Sequence, residues 1–164
     1  MDQAAVARSN SYFEWGYWIQ FVGPLIGFVI AFVLLQTGFA KNLRSWLEKN
    51  LKVYFFVVIG FALVYSLIGS LVSFPWDYWV NFVREHDYDL STQTFAQWFM
   101  EYAQEFGISL AVGSLAIGLL YLIIAVAKKT WWIWGTLASL AFVAVLGMLA
   151  PVYISPIFND YNPM

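Results

Sequence analysis

Cysteine is absent from these 164 residues, and histidine occurs once, at His86. The first absence excludes disulfides, thiolate zinc sites, thiol nucleophiles, and S-acylation or prenylation of the chain itself. The second leaves little from which to build a catalytic triad, and neither a G-x-S-x-G motif nor a phosphate loop is present. Charge is scarce too, at 11% of residues, where an ordinary soluble domain carries about 25%. A net charge of −2, with no basic patch interleaved with aromatics, excludes nucleic acid as a partner.

What fills the chain instead is apolar: 62% of residues are hydrophobic and 21% aromatic. Trp15 to Phe39, Val53 to Val72, Ile108 to Ala127 and Trp131 to Ile154 contain no Asp, Glu, Lys, Arg or His. Each has the roughly 20 apolar residues that a helix needs to cross about 30 Å of hydrocarbon. In lipid, a helix is the way such a segment satisfies its own backbone. The first run is no cleaved signal peptide, because a polar lead precedes it, its flank is not basic, and it exceeds an h-region. The sequence therefore predicts an all-α, polytopic integral membrane bundle. Its spans are 15–39, 53–72, 108–127 and 131–154. A polar tail (1–14), a basic loop (40–52), an acidic turn with an amphipathic helix (73–107) and a C-terminal tail (155–164) complete it. The lipid bilayer is the first partner.

Trp15, Tyr17 and Trp18, then Trp76, Tyr78 and Trp79, then Trp131, Trp132 and Trp134 stand where spans meet the interface. Amphipathic rings prefer headgroup depth, so these read as belts, with ligand stacking as the other reading. Small residues recur four apart at Gly23/Gly27, Ser66/Ser70, Ser109/Gly113 and Ser114/Gly118, a spacing that lets helices approach closely. Gly23-Pro24 and Pro151 predict kinks, for packing or for a substrate site. Charge-free spans and the absence of an internal repeat argue against a pump or ion-coupled transporter.

Lys41, Arg44, Lys49, Lys52, Lys128 and Lys129 make six of the eight basic residues. The positive-inside rule puts their loops, 40–52 and 128–130, in the cytoplasm, and the termini and residues 82–99 opposite.

The stretch FVREHDYDLSTQTFAQWF, residues 82–99, is the one long polar interruption. Glu85, His86, Asp87 and Asp89 carry donors suited to a divalent cation. Yet the spacing is poor for one, since a catalytic zinc usually takes three ligands, often at i, i+4. A solvated membrane-proximal turn is the plainer reading. Phe95, Trp98, Phe99, Tyr102, Ala103 and Phe106 then follow i, i+3, i+4, i+7, i+8, i+11 with Gln97, Glu101, Gln104 and Glu105 on the other face. This predicts an amphipathic helix near 92–106, capped at Asp89 or Ser91 and lying along the interface. A partner-binding groove is its functional alternative.

The run SFPWDYWVNFVREHDYDLSTQTFAQWF resembles a stretch of the type I CAAX prenyl proteases. There a helix ends in an aromatic-flanked Pro, and an acidic turn, a Gln-Thr pair and an aromatic-rich helix follow. The matching positions are Phe74, Pro75, Trp76, Phe82, Glu85, Gln93, Thr94 and Phe99. The tail PVYISPIFNDYNPM is similar to a second family segment, through Pro156, Phe158, Asn159 and Pro163. The resemblance covers residues 74–164 well and 15–72 by hydropathy alone. It implies a zinc metalloendopeptidase whose H-E-x-x-H portion lies beyond Met164. No catalytic, cofactor-binding or metal-binding residue is then assigned in this chain, and zinc belongs to the missing portion. The resemblance also implies that the 82–99 turn faces the cytosol, against the charge count, which is the reading kept here. Two functions follow. One is a non-catalytic membrane module walling a substrate chamber for a peptidase portion. The other is a stand-alone accessory subunit scaffolding other membrane subunits.

Overall fold

The computed structural model describes residues 3–158, and helices account for nearly all of them. In chain order they are α1 (Gln3–Gln36), α2 (Phe39–Asn50), α3 (Tyr54–Tyr78), α4 (Arg84–Asp87), α5 (Phe95–Val126), α6 (Trp131–Leu149) and α7 (Ser155–Phe158). Two π-helical segments, Trp79–Val83 and Ala150–Ile154, join α3 to α4 and α6 to α7 without interrupting the spiral. No strand occurs among the described residues.

Four continuous helical runs are long and apolar enough to cross a bilayer: Val6–Gln36, Tyr54–Asp87, Phe95–Val126 and Trp131–Ile154. With the short amphipathic α2 they form the all-α polytopic architecture expected from the sequence. The protein is therefore an integral membrane domain.

Boundaries differ from those read off the sequence, each for a physical reason. The amphipathic helix expected along the interface near 92–106 is instead the first turns of α5, which continues unbroken to Val126. A helix lying on a surface and one packing on a neighbour have the same i, i+3, i+4 stripe. Here the neighbour is a second stripe, Phe74, Tyr78 and Phe82. The segment 40–52, expected as a loop, is mostly α2, which buries Leu47. The cap of α5 is Thr94, not Asp89 or Ser91. Its hydroxyl accepts from the Gln97 N–H, and the Gln97 carboxamide oxygen accepts from the Thr94 N–H at 2.8 Å. This is a capping box. Asp89 instead takes φ 57°, the left-handed conformation that Asp tolerates better than most residues, and turns the chain out of α4.

Pro24 and Pro75 lie within α1 and α3. Pro151 falls in the second π segment, where the wider turn accommodates a missing backbone donor.

α1, α3, α5 and α6 form an open antiparallel row, with α2 laid against α1 and α3. α3 and α5 pack over Ser114 and Gly118, both buried. A Cβ at Gly118 would stand 2.7 Å from Phe55 Cε2, so the bare backbone is what lets the helices close. α2 docks by the same device, since a Cβ at Gly60 would meet Leu47 Cδ2 at 3.0 Å. Little else is buried: among the described residues, Ile30, Leu47, Val57, Val58, Ala62 and Trp98 are the buried apolar side chains. A chain solvated by lipid has no need to hide the rest, because acyl tails are as apolar as leucine.

Candidate functional site

Antiparallel order brings the start of α1, the α3–α4 arm and the start of α5 to one end, here called the lip. Val6–Gln36, Tyr54–Asp87 and Phe95–Val126 have 31, 34 and 32 residues. At about 1.5 Å per residue each exceeds the roughly 30 Å hydrocarbon core by several turns. The surplus allows polar side chains to meet outside the apolar slab.

Arg84 is the hub. It is 7% exposed, and its Nη2 donates to the Tyr12 carbonyl at 2.8 Å. Its guanidinium carbon stands 3.8 Å from the centre of the Tyr12 ring, a cation–π contact. Its Nη1 lies 3.5 Å from Glu85 Oε1, and the Tyr12 hydroxyl donates to that same oxygen at 2.9 Å. The Nε is buried without a partner among the described residues. Ser11 and Tyr88 hydroxyls pair at 2.8 Å, and Arg8 bridges to Asp89 at 2.7 Å. The acidic turn is thus stapled to α1.

His86 serves the same end. Nδ1 lies 2.7 Å from the Phe82 carbonyl and Nε2 lies 2.8 Å from the Gln93 carbonyl. Both ring nitrogens face backbone oxygens, one on its own helix and one on the 88–94 connection. Among the described residues no three of His, Cys, Asp and Glu gather where they could hold a metal ion. That donor set does not fit zinc.

The family-motif positions gather mostly at the lip. Glu85 accepts from Tyr12. The Gln93 carboxamide donates to both Glu101 oxygens, at 2.9 and 2.8 Å, and Thr94 caps α5. Phe74 sits within 6.5 Å of the Tyr78, Trp98, Phe99 and Tyr102 rings, and Pro75 immediately follows it in α3. Trp98, 6% exposed, is the most buried ring of that cluster. Pro156 lies in α7 and Phe158 ends it. Asn159 and Pro163 lie outside the described residues.

Beside the lip, α1, α3 and α5 border an open cavity of about 670 Å³. Ser66, Ser70, Ser73 and Asp77 line it from α3 at helical spacing, and Tyr102, Glu105 and Ser109 from α5. Ile19, Gly23 and Ile26 of α1 form an apolar wall opposite. The Tyr102 hydroxyl reaches Asp77 Oδ2 at 3.3 Å and pairs with Ser70 Oγ at 2.9 Å, tying the two polar walls together. Ser66/Ser70 and Ser109, read from sequence as packing sites, line this cavity, whereas Ser114/Gly118 is the pair at the α3–α5 crossing.

Asp77 was not legible as a lining residue, and Tyr102 was legible only as part of an apolar stripe, because the second span was expected to end at Val72 and the third to begin at Ile108. The signal was there: Phe74, Tyr78 and Phe82 continue the helical stripe of α3 past Pro75.

Comparison with known proteins shows the family. A family model described as CAAX prenyl protease N-terminal, five membrane helices, matches residues 1–160. The chain is 32% identical over 164 residues to the uncharacterized metalloprotease YhfN of Bacillus subtilis, covering all of this chain and 38% of that protein. It is 28% identical over 102 residues to CAAX prenyl protease 1 of Saccharomyces cerevisiae, covering 60% of this chain and 22% of the yeast one. The chain therefore spans well under half the length of these two relatives.

Proposed function

The chain belongs to the CAAX prenyl protease N-terminal family, and on that premise we propose that it walls a substrate chamber without supplying catalytic groups. The observation that carries this reading is the cavity between α1, α3 and α5, polar on two sides and apolar on the third. A peptide attached to a lipid needs both surfaces. Its amides would hydrogen-bond along the serine–aspartate stripe of α3, and its apolar moiety would rest on Ile19 and Ile26. The stapled lip keeps the mouth of that chamber in shape. A zinc-bearing peptidase portion, the part of the relatives that lies beyond this chain, would supply the metal and the activated water.

The test is to co-express the chain with the peptidase portion of the Bacillus relative and assay cleavage of a prenylated peptide. Expected are zinc-dependent cleavage by the pair and none by the chain alone. His86→Ala should retain cleavage, because both His86 ring nitrogens are engaged by backbone carbonyls and neither is assigned to the metal. Ser70→Phe, which intrudes on the cavity, should lower kcat/KM by about tenfold or more, as loss of a positioned substrate does. Zinc bound at one equivalent by the chain alone, and lost on His86→Ala, would overturn the reading. Co-purification with a larger membrane assembly and no cleavage with any peptidase portion would favour the accessory-subunit function instead.

The distribution of basic residues proposes a direction for the domain. The six clustered basic residues lie at the end away from the lip, which the positive-inside rule puts in the cytoplasm. The chain has no native cysteine, so single cysteines at Ser45 and Ser91 can be labelled with an impermeant reagent in sealed vesicles. Ser45 should react from the cytoplasmic side and Ser91 from the other. Reversed labelling would support the orientation implied by the family.

A further inference from the structure

At the end of α3 remote from Asp77, a second cavity of about 490 Å³ opens between α2, α3 and α5. Val57, Val58 and Ala62, three of the most buried residues in the protein, line it from α3. Tyr54 and Tyr121 stand near its one charged lining residue, Arg44. We propose that this cleft binds one anionic phospholipid, its phosphate held by Arg44 and an acyl chain lying between α3 and α5. This site does not depend on the substrate chamber.

Three features support that occupant. The first is shape and chemistry: the volume falls within the roughly 300–1,000 Å³ of ligand pockets, and the lining is apolar apart from Arg44 and the tyrosines Tyr54, Tyr65 and Tyr121. The second is charge. Arg44 Nε donates to Glu48 Oε1 at 2.8 Å, and its two terminal nitrogens have no partner among the described residues. Lys41, Lys49, Lys52, Lys128 and Lys129 occupy the same end, and Glu48 is the one acid among residues 40–52 and 127–130. Such a cluster attracts anionic headgroups. The third is placement. α2 is a short amphipathic helix fixed on α3 by Leu47 over Gly60, so Arg44 is held at the cleft's rim on a rigid element. A soluble anion would gain nothing from the apolar floor, and a zwitterionic lipid would gain little from the cations.

The experiment is native mass spectrometry of the whole chain released from detergent. Phosphatidylglycerol and phosphatidylcholine with identical acyl chains are supplied in equal amounts. One phosphatidylglycerol should be retained in preference to phosphatidylcholine. Arg44→Gln should reduce that preference about fivefold, the effect of one cation at an anionic surface. Glu48→Gln should raise it, since it removes the competing carboxylate. Ala62→Phe should abolish retention of both lipids by filling the floor. If that variant does not fold, the opposite signs at Arg44 and Glu48 still decide the matter. Equal retention of the two lipids would overturn the proposal. So would an Arg44→Gln variant with unchanged preference, or displacement of the lipid by a farnesylated peptide that binds wild type and Arg44→Gln alike.

Discussion

At the lip, Arg8, Ser11 and Tyr12 of α1 reach Asp89, Tyr88 and Glu85 through one ion pair and two hydrogen bonds, and Arg84 is buried among them. At the basic end α2 meets α3 through Leu47 laid over Gly60, while Phe55 of α3 packs on Gly118 of α5. The difference follows from solvent. The lip lies beyond the charge-free runs of α1, α3 and α5, where polar groups can assemble and α1 has something to hold. Within lipid no hydrophobic force draws helices together, so contact rests on shape, and glycine permits the closest approach. One end is stitched and the other is fitted.

That contrast breaks first at Arg84. Arg84→Ala leaves Glu85 and the Tyr12 carbonyl without their cation, and should destabilise the domain by about 2–4 kcal/mol. Unfolding in detergent should show this loss, with α1 released first. A variant within about 0.5 kcal/mol of wild type would mean that the hub is not structural.

Gly118→Ile tests the fitted end. The new side chain would meet Phe55 where a Cβ alone comes within 2.7 Å. Overpacking of this kind should cost about 1–3 kcal/mol. Gly23→Ala, with nothing within 4 Å of its added Cβ, should cost little by comparison and is the control.

A smaller effect is expected at the cap. Thr94→Ala removes the capping-box hydroxyl of α5 and should cost about 1 kcal/mol, read as faster amide exchange in residues 95–98. Exchange unchanged there would show that the aromatic cluster, not the cap, holds the start of α5.

The smallest belongs to Arg8→Gln. The Arg8–Asp89 pair is exposed, at 50% and 78% of the two side chains. Its loss should shift stability by about 0–1 kcal/mol and less at high salt. A larger, salt-insensitive shift would move Arg8 into the same buried network as Arg84.

Four charge-free runs were enough to read the spans, because a bilayer requires a long apolar helix wherever the chain crosses. The basic cluster at one end was also legible, since it follows from loop positions alone. The apolar stripe of Phe95, Trp98, Phe99 and Tyr102 was visible, but its partner was not. A stripe specifies that something apolar covers it, and lipid surface or another helix satisfies it equally.

What the sequence by itself determined is the class of molecule, because crossing lipid depends on composition and length, which are local properties. It also carried the family resemblance, through residues such as Pro75, Glu85, Gln93 and Thr94 that a motif reads in order. The tertiary structure alone decided that Arg84 lies beneath Tyr12, that both nitrogens of His86 meet backbone carbonyls, and that Asp77, Tyr102 and Ser70 face one cavity. Tyr12 and Glu85 are 73 positions apart, and Asp77 and Tyr102 are 25 apart. No periodicity spans such separations. They meet because glycine-mediated packing and the reversal at residues 88–94 set the register of one long helix against another.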